Sequence, residues 1–572
     1  MAVTRKDPAL TALLEQVDAG RMLSACAKIA EEVRLSGSAE EGRAFRRLAE
    51  RLKALGLRVR LSVRPGYVSW PGAASLEVVG LGALPCITHA MAAPCQGLSA
   101  GIVDLGDLPV REIAKAEVRG RIALIDGVAN PARVQAAEAA GALGEIFVSG
   151  EHRHEMIVSP VWGSPGREDL GRLPRTPAVS IDRLAGEALR RRLREGPATG
   201  TLRTEVETRW RPLPLLEAEL LPPGRGRDFV LLSGHVDSWH LGAMDNGSAN
   251  ALMLEMAELL AGRREELRRG LRICFWSGHS HGRYAGSARY AEERFLELYE
   301  RCVVHVNVDS PGGRGATDLR FGIASAELRA LAGESVEAEC DVPYVGSPPL
   351  RAGDESFLGI GVPALFMEVS EQPPGGEGSS GVSAGGGLGW WWHTPEDTLD
   401  KLDPAFLARD ARVYLRALWR LLTEPVLPFS LRAAAEELAR ELALRAEQCR
   451  GHLNLAPTML DAERLAARAE ALDAERERLS ALGADAPREQ VGRLNRRIMA
   501  FERALGPALY SVSGPFGQDP ALAVGLLPGL TGAEELQGLA PGSPEAEHLL
   551  VDLRRELNRV ALAVREAQRA LR

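Results

Sequence analysis

A histidine and two aspartates lie close together in Ser233-Gly-His235-Val-Asp237-Ser-Trp-His-Leu-Gly-Ala-Met-Asp245-Asn-Gly-Ser. Imidazole plus carboxylate is a donor set that suits zinc. Two further groups of the same kind stand far along the chain. Asp309 ends Val-His-Val-Asn-Val-Asp309, and His393 opens His393-Thr-Pro-Glu-Asp-Thr. Taken singly, such residues serve as well for capping as for chemistry: Asp245 ahead of Asn-Gly-Ser suits an N-cap, and Glu396 and Asp397 suit a helical first turn. Their coincidence says more, because three such groups each leave an apolar strand at the same end.

The elements that must position them are legible. Apolar strands at Phe229–Ser233, Leu271–Trp276, Val303–Val308 and Pro363–Val369 alternate with helical patterns at Asn246–Arg263, Ala288–Arg301, Ala326–Glu337 and Pro404–Leu422. That alternation predicts an α/β fold, a mostly parallel sheet with helices on both faces, and open sheets of this kind place ligands at the carboxyl ends of their strands. Residues Asp7 to Leu57 read as helices, with Gly56 as a C-cap, followed by a strand from Leu57 to Val63. From about Pro71 to Thr208, short apolar strands separated by Gly and Pro predict a β-rich module, including Val118–Ile125, a helix over Ala132–Ala140 and a strand over Glu145–Ser149. Gly375–Gly389 is Gly/Ser-rich and predicts a mobile loop. Beyond Pro428, amphipathic segments at Leu431–Leu453, Asp461–Leu482, Arg488–Leu505 and Pro544–Leu571 predict a helix bundle, with a Gly/Pro-rich break over Ser513–Gly542.

At 572 residues the chain exceeds a single core, and three or four domains are expected. A composition 45% hydrophobic and 26% charged is that of a globular protein, and a net charge of -8 gives no reason to expect nucleic acid or an anionic membrane as partner. The amino terminus lacks the apolar core of a signal peptide, and no apolar run reaches the roughly 18 residues of a membrane span. The seven cysteines are scattered, without zinc-cluster or disulfide spacing. A cytoplasmic protein whose metal is held by His and carboxylate is the expectation.

With these residues in place, the chain resembles the zinc aminopeptidase superfamily that includes glutamate carboxypeptidase and the transferrin receptor. Gly-His235-Val-Asp237-Ser-Trp, Gly-Ala-Met-Asp245-Asn-Gly-Ser, Asn-Val-Asp309 and His393-Thr-Pro-Glu-Asp-Thr match four of its blocks in order. Arg119-Gly-Arg-Ile-Ala-Leu-Ile and Ala139-Ala-Gly-Ala are similar to its protease-associated insert, and Leu494-Asn-Arg-Arg to its helical dimerisation domain. The resemblance implies a catalytic domain over residues 1–70 and 209–428, an insert over 71–208 and a dimerisation-like domain over 429–572, hence a homodimer. It also implies one or two Zn2+ ions: His235 and Asp309 on one, His393 on a second, Asp245 bridging. Asp237 then orients His235 through the other ring nitrogen.

One block departs from the pattern. Such peptidases carry two adjacent glutamates after the strand that here ends Phe275-Trp276, the first a general base and the second a ligand. This chain has Trp276-Ser-Gly-His279-Ser280-His281-Gly282. Counted from Trp276 and Gly282, His279 replaces the base and Ser280 the ligand; counted back from Gly286-Ser287, His281 falls on the ligand position. The first register keeps Gly282 in place and is preferred. Three outcomes stay open: His279 acts as the base, His279 or His281 binds metal, or hydrolysis is lost, as in the transferrin receptor. Replacing two glutamates with neutral groups makes the site about two units more positive and disfavours a second ion.

Smaller candidates are Glu355 as a substitute carboxylate, Trp390–Trp392 as pocket wall, lid or core, Arg283 and Tyr284 as partners of a carboxylate or oxyanion, and His240. The function expected is hydrolysis of a peptide or small amide bond by metal-activated water. The alternatives are an inactive binding or scaffold protein on the same fold, or a single-metal enzyme acting on a non-peptide substrate.

Overall fold

The computed structural model describes residues 7–224, 226–349, 351–376, 387–449, 451–522 and 525–572. The loop expected at Gly375–Gly389 lies largely outside these, at 377–386. Among the described residues twelve strands follow in chain order: β1 Arg58–Val78, β2 Gly82–Leu84, β3 Ile87–Thr88, β4 Cys95–Gly106, β5 Ile122–Asp126, β6 Gly144–Val148, β7 Ala178–Ile181, β8 Thr199–Leu220, β9 Phe229–His235, β10 Gly270–Trp276, β11 Cys302–Asn307 and β12 Ala364–Leu365. They join in the order β12-β11-β9-β10-β8-β4-β5-β6-β7-β3, with β1 on β8 and β2 on β1. The four strands β12, β11, β9 and β10 are mutually parallel, and β8 closes them antiparallel.

The four parallel strands are buried on both faces because they are largely apolar. Val230 and Leu232 point into a core shared with Leu252, Met256 and Leu418 of the helices Ala249–Ala261 and Pro404–Thr423. Phe229 and Leu231 point the other way, onto Trp276, Tyr290 and Phe357. Each such side chain contributes roughly 1.5–3 kcal/mol on burial. The helix Ala39–Ala54 starts where the side chain of Ser38 accepts from the Glu41 amide, and Gly56 follows it at φ 82, as the C-cap glycine requires.

β1 and β8 pair antiparallel from Arg58↔Glu219 to Val78↔Gly200, running unbroken past positions 71 and 208 apart from a register shift between Pro71 and Ala74. The β-rich segment is thus bonded into the same sheet, while it keeps two cores of its own, one around Ile122, Leu124 and Ile146 and one around Ala123, Ile125 and Phe147. Four long helices, Leu431–Gln448, Ala456–Leu482, Arg488–Tyr510 and Pro544–Ala570, form the carboxyl-terminal part.

Some expected elements are shorter or split. The strand expected at Pro363–Val369 keeps only Ala364–Leu365, because Phe366 turns to φ 61 and leaves the ladder. The helix expected at Ala288–Arg301 is two, Ala285–Glu293 and Phe295–Arg301, broken at Arg294. Ahead of Ala249–Ala261, Asp245 and Asn246 are non-helical within a wide turn, Ala243–Ser248. Among the described residues no helix is long and apolar enough to cross a membrane.

Candidate metal centre

Strand register assembles the site. Trp276 at the end of β10 lies opposite His235 at the end of β9, so the turn that follows emerges beside His235. Asn307 of β11 pairs with Ser233, so Asp309 emerges on the other side, where its amide donates to the Met367 carbonyl at 2.8 Å. Asp245 is brought in by the wide turn, whose Met244 and Asp245 amides donate to the Asp397 carboxylate at 2.8 and 3.0 Å. Buried Arg34 fastens the loop between: its guanidinium donates to the carbonyls of Val236, Leu241 and Gly242 at 2.8, 2.7 and 3.0 Å.

His235 Nε2 stands 3.1 Å from Asp245 Oδ1 and 3.6 Å from Asp309 Oδ2, and His393 Nε2 stands 3.0 Å from Asp245 Oδ2. His235 thus lies beside both Asp245 and Asp309, and Asp245 stands between the two imidazoles. His235 Nδ1 hydrogen-bonds the main-chain carbonyl of Asp237 at 2.9 Å, and the Asp237 carboxylate is 3.6 Å away. The carbonyl is thus the closer orienting group. The carboxylate instead accepts from the Ser280 amide at 2.8 Å and the Ser36 hydroxyl at 2.6 Å, which fixes the turn after β10. His393 Nδ1 pairs with the Glu155 carbonyl at 2.6 Å, an orienting group supplied by the β-rich segment. Each histidine thus spends one nitrogen on a carbonyl and turns the other toward carboxylate, as metal-ligating histidines do.

The polar groups do not satisfy one another. With Nδ1 of His235 donating to a carbonyl, the neutral ring offers only a lone pair at Nε2, and it faces a carboxylate oxygen. Both His235 Nε2 and Asp245 Oδ1 are buried without a hydrogen-bond partner. Two such acceptors 3.1 Å apart call for a cation between them, a proton or a metal ion, and the donor set fits zinc. Burial opposes charge on His235, yet Asp237, Asp245 and Asp309 outweigh it and hold its pKa well above the ordinary value. For His393 burial prevails over Asp245 and the Glu155 carbonyl, and its pKa is lowered.

His279 lies in the same place: one of its ring nitrogens is within 4.8 Å of ligand atoms of His235 and Asp309. Its ring stacks on His235, centroids 3.7 Å apart and planes 15° from parallel. His281 does not join them. It is buried behind Asp237, its Nδ1 2.9 Å from the Ser36 hydroxyl and its ring against Trp239.

Glu355 turns away into the core, 3.4 Å from His305 Nδ1, while its neighbour Asp354 reaches His279 Nδ1 at 3.0 Å. Trp391 is core, Trp392 stacks on His393 at 3.5 Å, and Trp390 stacks on His152. Arg283 is partly buried and donates to the carbonyls of Ile157 and Ser159, which ties the β-rich segment down; Tyr284 stands edge-on to His279 at 4.8 Å. His240 lines a cavity of about 280 Å³ with His152, Arg153, Glu155, Thr394 and Glu396. A narrow cleft lined by Trp239, His240, Thr394, Asp245 and His393 adjoins it. Sequence motifs missed Ser36, Asp354 and Glu155, each remote in the chain. The Trp239 indole, which donates to His393 Nε2 at 3.1 Å, stood inside a quoted motif unread.

Residues 218–418 match the model of peptidase family M28. The probable glutamate carboxypeptidase VP8 of Zea mays is 26% identical over 254 residues, 39% of this chain and 33% of that protein. The probable glutamate carboxypeptidase AMP1 of Arabidopsis thaliana is 24% identical over 385 residues, 60% of this chain and 50% of that protein. The chain thus spans half or less of the length of these relatives. The solved structure of a peptidase M28 precursor from Shewanella amazonensis SB2B superposes with a TM-score of 0.57 at 21% identity, covering 72% of this chain and 95% of that one. An aminopeptidase from Aneurinibacillus sp. strain AM-1 gives 0.55 at 21% identity, covering 72% and 96%. These two likenesses show a shared fold. The family match over residues 218–418 and these relatives support a place for this segment among the zinc aminopeptidases and glutamate carboxypeptidases.

Proposed function

We propose that this chain is a metal-dependent hydrolase of the peptidase type that cleaves a peptide or small amide bond with water. The observation that carries the reading is the pair of buried acceptors, His235 Nε2 and Asp245 Oδ1, with Asp309 beside them and no donor between. His235, Asp245 and Asp309 would hold one zinc ion. His393, at the other end of Asp245, would complete that shell or begin a second. When bound, the ion supplies Lewis-acid polarisation of the scissile carbonyl and makes water acidic enough to attack near neutral pH.

The chain's own residues do the rest. The Asp237 and Glu155 carbonyls hold both histidines with Nε2 toward the carboxylates. Trp392 and Tyr284 wall the site, which keeps bulk water from competing for its charges. The cavity beside His240 and Thr394 gives the substrate its approach, and its volume suits a short peptide end. The same reading takes 71–208 as a protease-associated insert and 429–572 as the dimerising part of a homodimer. Elemental analysis of purified protein tests the site: about one zinc per chain and cleavage of a dipeptide panel are expected, both lost in His235→Ala. Zinc retained in that variant would overturn the assignment.

A further inference from the structure

His279 and Asp354 stand together beside the candidate metal ligands. A histidine beside two metal-ligand candidates can be a third ligand or a base, and ring geometry separates the two. The imidazole lone pair lies in the ring plane, so two rings on one ion must splay to point at it. His279 and His235 instead stack nearly parallel, 15° apart with centroids at 3.7 Å. Two parallel planes at that spacing do not meet at an ion. His279 therefore lies over the site without completing its shell.

Its tautomer is fixed from behind. Asp354 is 1% exposed, and its Oδ2 is 3.0 Å from His279 Nδ1. Its other oxygen accepts from the Ser287 hydroxyl at 2.7 Å. Ser287 lies 2.9 Å from the Ser356 hydroxyl, which accepts from the Trp162 indole at 2.8 Å. These contacts form a chain of donors running from Trp162 through Ser356 and Ser287 to end on the carboxylate. With both carboxylate oxygens placed as acceptors, Nδ1 carries the hydrogen toward Asp354 and Nε2 keeps its lone pair. Tyr284 closes the remaining side, edge-on at 4.8 Å.

We propose that His279 is the general base of this centre and that Asp354, held by Ser287, is the positioning residue that keeps Nε2 free to accept a proton. The inference rests on the hydrolase reading above. His279 Nε2 takes a proton from water as the water oxygen bonds to the substrate carbonyl carbon. It returns that proton to the amide nitrogen as the carbon–nitrogen bond breaks, so atoms and charge balance over the cycle.

The test compares zinc-loaded wild type, His279→Gln, Asp354→Asn and the double variant Asp354→Asn/Ser287→Ala. In Asp354→Asn the Ser287 hydroxyl keeps the amide oxygen on its own side, so the amide N–H₂ faces His279 and drives the hydrogen to Nε2. Histidine-selective nitrogen NMR, with His279 assigned by its loss in His279→Gln, should show the proton on Nδ1 in wild type and on Nε2 in Asp354→Asn. With a panel of dipeptides and aminoacyl p-nitroanilides, kcat should fall about 10²–10⁴-fold in both single variants, with KM and zinc content held. Removing Ser287 frees the asparagine to turn its oxygen to His279, so the double variant should recover at least about tenfold over Asp354→Asn. Zinc lost from His279→Gln would make His279 a ligand and overturn the base assignment. Wild-type kcat in Asp354→Asn, or an unchanged tautomer, would overturn the positioning role. A zinc-loaded wild type that cleaves nothing in the panel would overturn the hydrolase reading and the base role with it, while the NMR result would still decide what Asp354 does.

Discussion

The two ends of the Asp245 carboxylate are built differently. At one end His235 Nε2 has no donor, Asp309 stands 3.6 Å away, and Asp237 lies behind the ring. At the other, His393 Nε2 already accepts the Trp239 indole N–H at 3.1 Å, and Asp245 is the one carboxylate within ion-pair distance among the described residues. The pKa shifts follow the same division: carboxylates win over burial at His235, and burial wins over a single carboxylate at His393. A dication therefore finds its charge matched and its donor atoms vacant at the first end. At the second it has to displace an indole hydrogen bond with half the compensating charge. Two imidazoles on one carboxylate do not by themselves make a two-metal site.

The largest effect is expected where the first end is dismantled. His235→Ala should bring zinc to background levels by elemental analysis and abolish hydrolysis, whereas His393→Ala should weaken zinc only about 10–100-fold in a chelator competition, because it leaves the three other donors in place. Equal loss in both variants would erase the distinction between the ends. Trp239→Phe removes the indole N–H and keeps an aromatic ring. At saturating zinc the count per chain should rise toward two; a count that stays at one would transfer the cause from the indole to the missing carboxylate at Ser280.

A smaller effect lies outside the site, where the carboxyl-terminal helices meet the rest of the chain. Glu327 is buried there with both carboxylate oxygens unpartnered, near Glu437, Glu502, Arg329 and Tyr510. Burial first, then Glu437, pushes its pKa up to about 7 from 4.5. A raised acid pKa means that the folded state holds its proton more tightly than the unfolded chain does. The stability is then fully present below about pH 4.5 and is lost as pH rises through 7. Glu327→Gln should flatten that loss and stabilise the protein at pH 8 by on the order of 1–3 kcal/mol, measured by chemical denaturation across pH. A pH profile unchanged by the substitution would contradict it.

Much of this was legible in the sequence because strand ends are. Apolar runs gave the strands, and register alone then forces His235, the turn after Trp276 and Asp309 to one edge. In the Gly-His-Ser-His segment, His279 stands over His235 and His281 behind Asp237. The unread residues act through tertiary contacts that leave no local pattern. Asp354 reaches His279 across 75 positions, and Ser36 reaches Asp237 across 201. Glu155 contributes a carbonyl, for which any residue type would serve, so no sequence signal marks it. Helix breaks at Arg294 and Ala243–Ser248 were hidden because hydrophobic periodicity carries through a local change of backbone.

Anomalous diffraction at the zinc edge, from crystals grown with zinc, locates the ion without recourse to any substrate. One peak should lie among His235 Nε2, Asp245 Oδ1 and Asp309 Oδ2, with His279 stacked clear of it. No peak there, or His279 Nε2 bonded to the ion, would contradict the site as described.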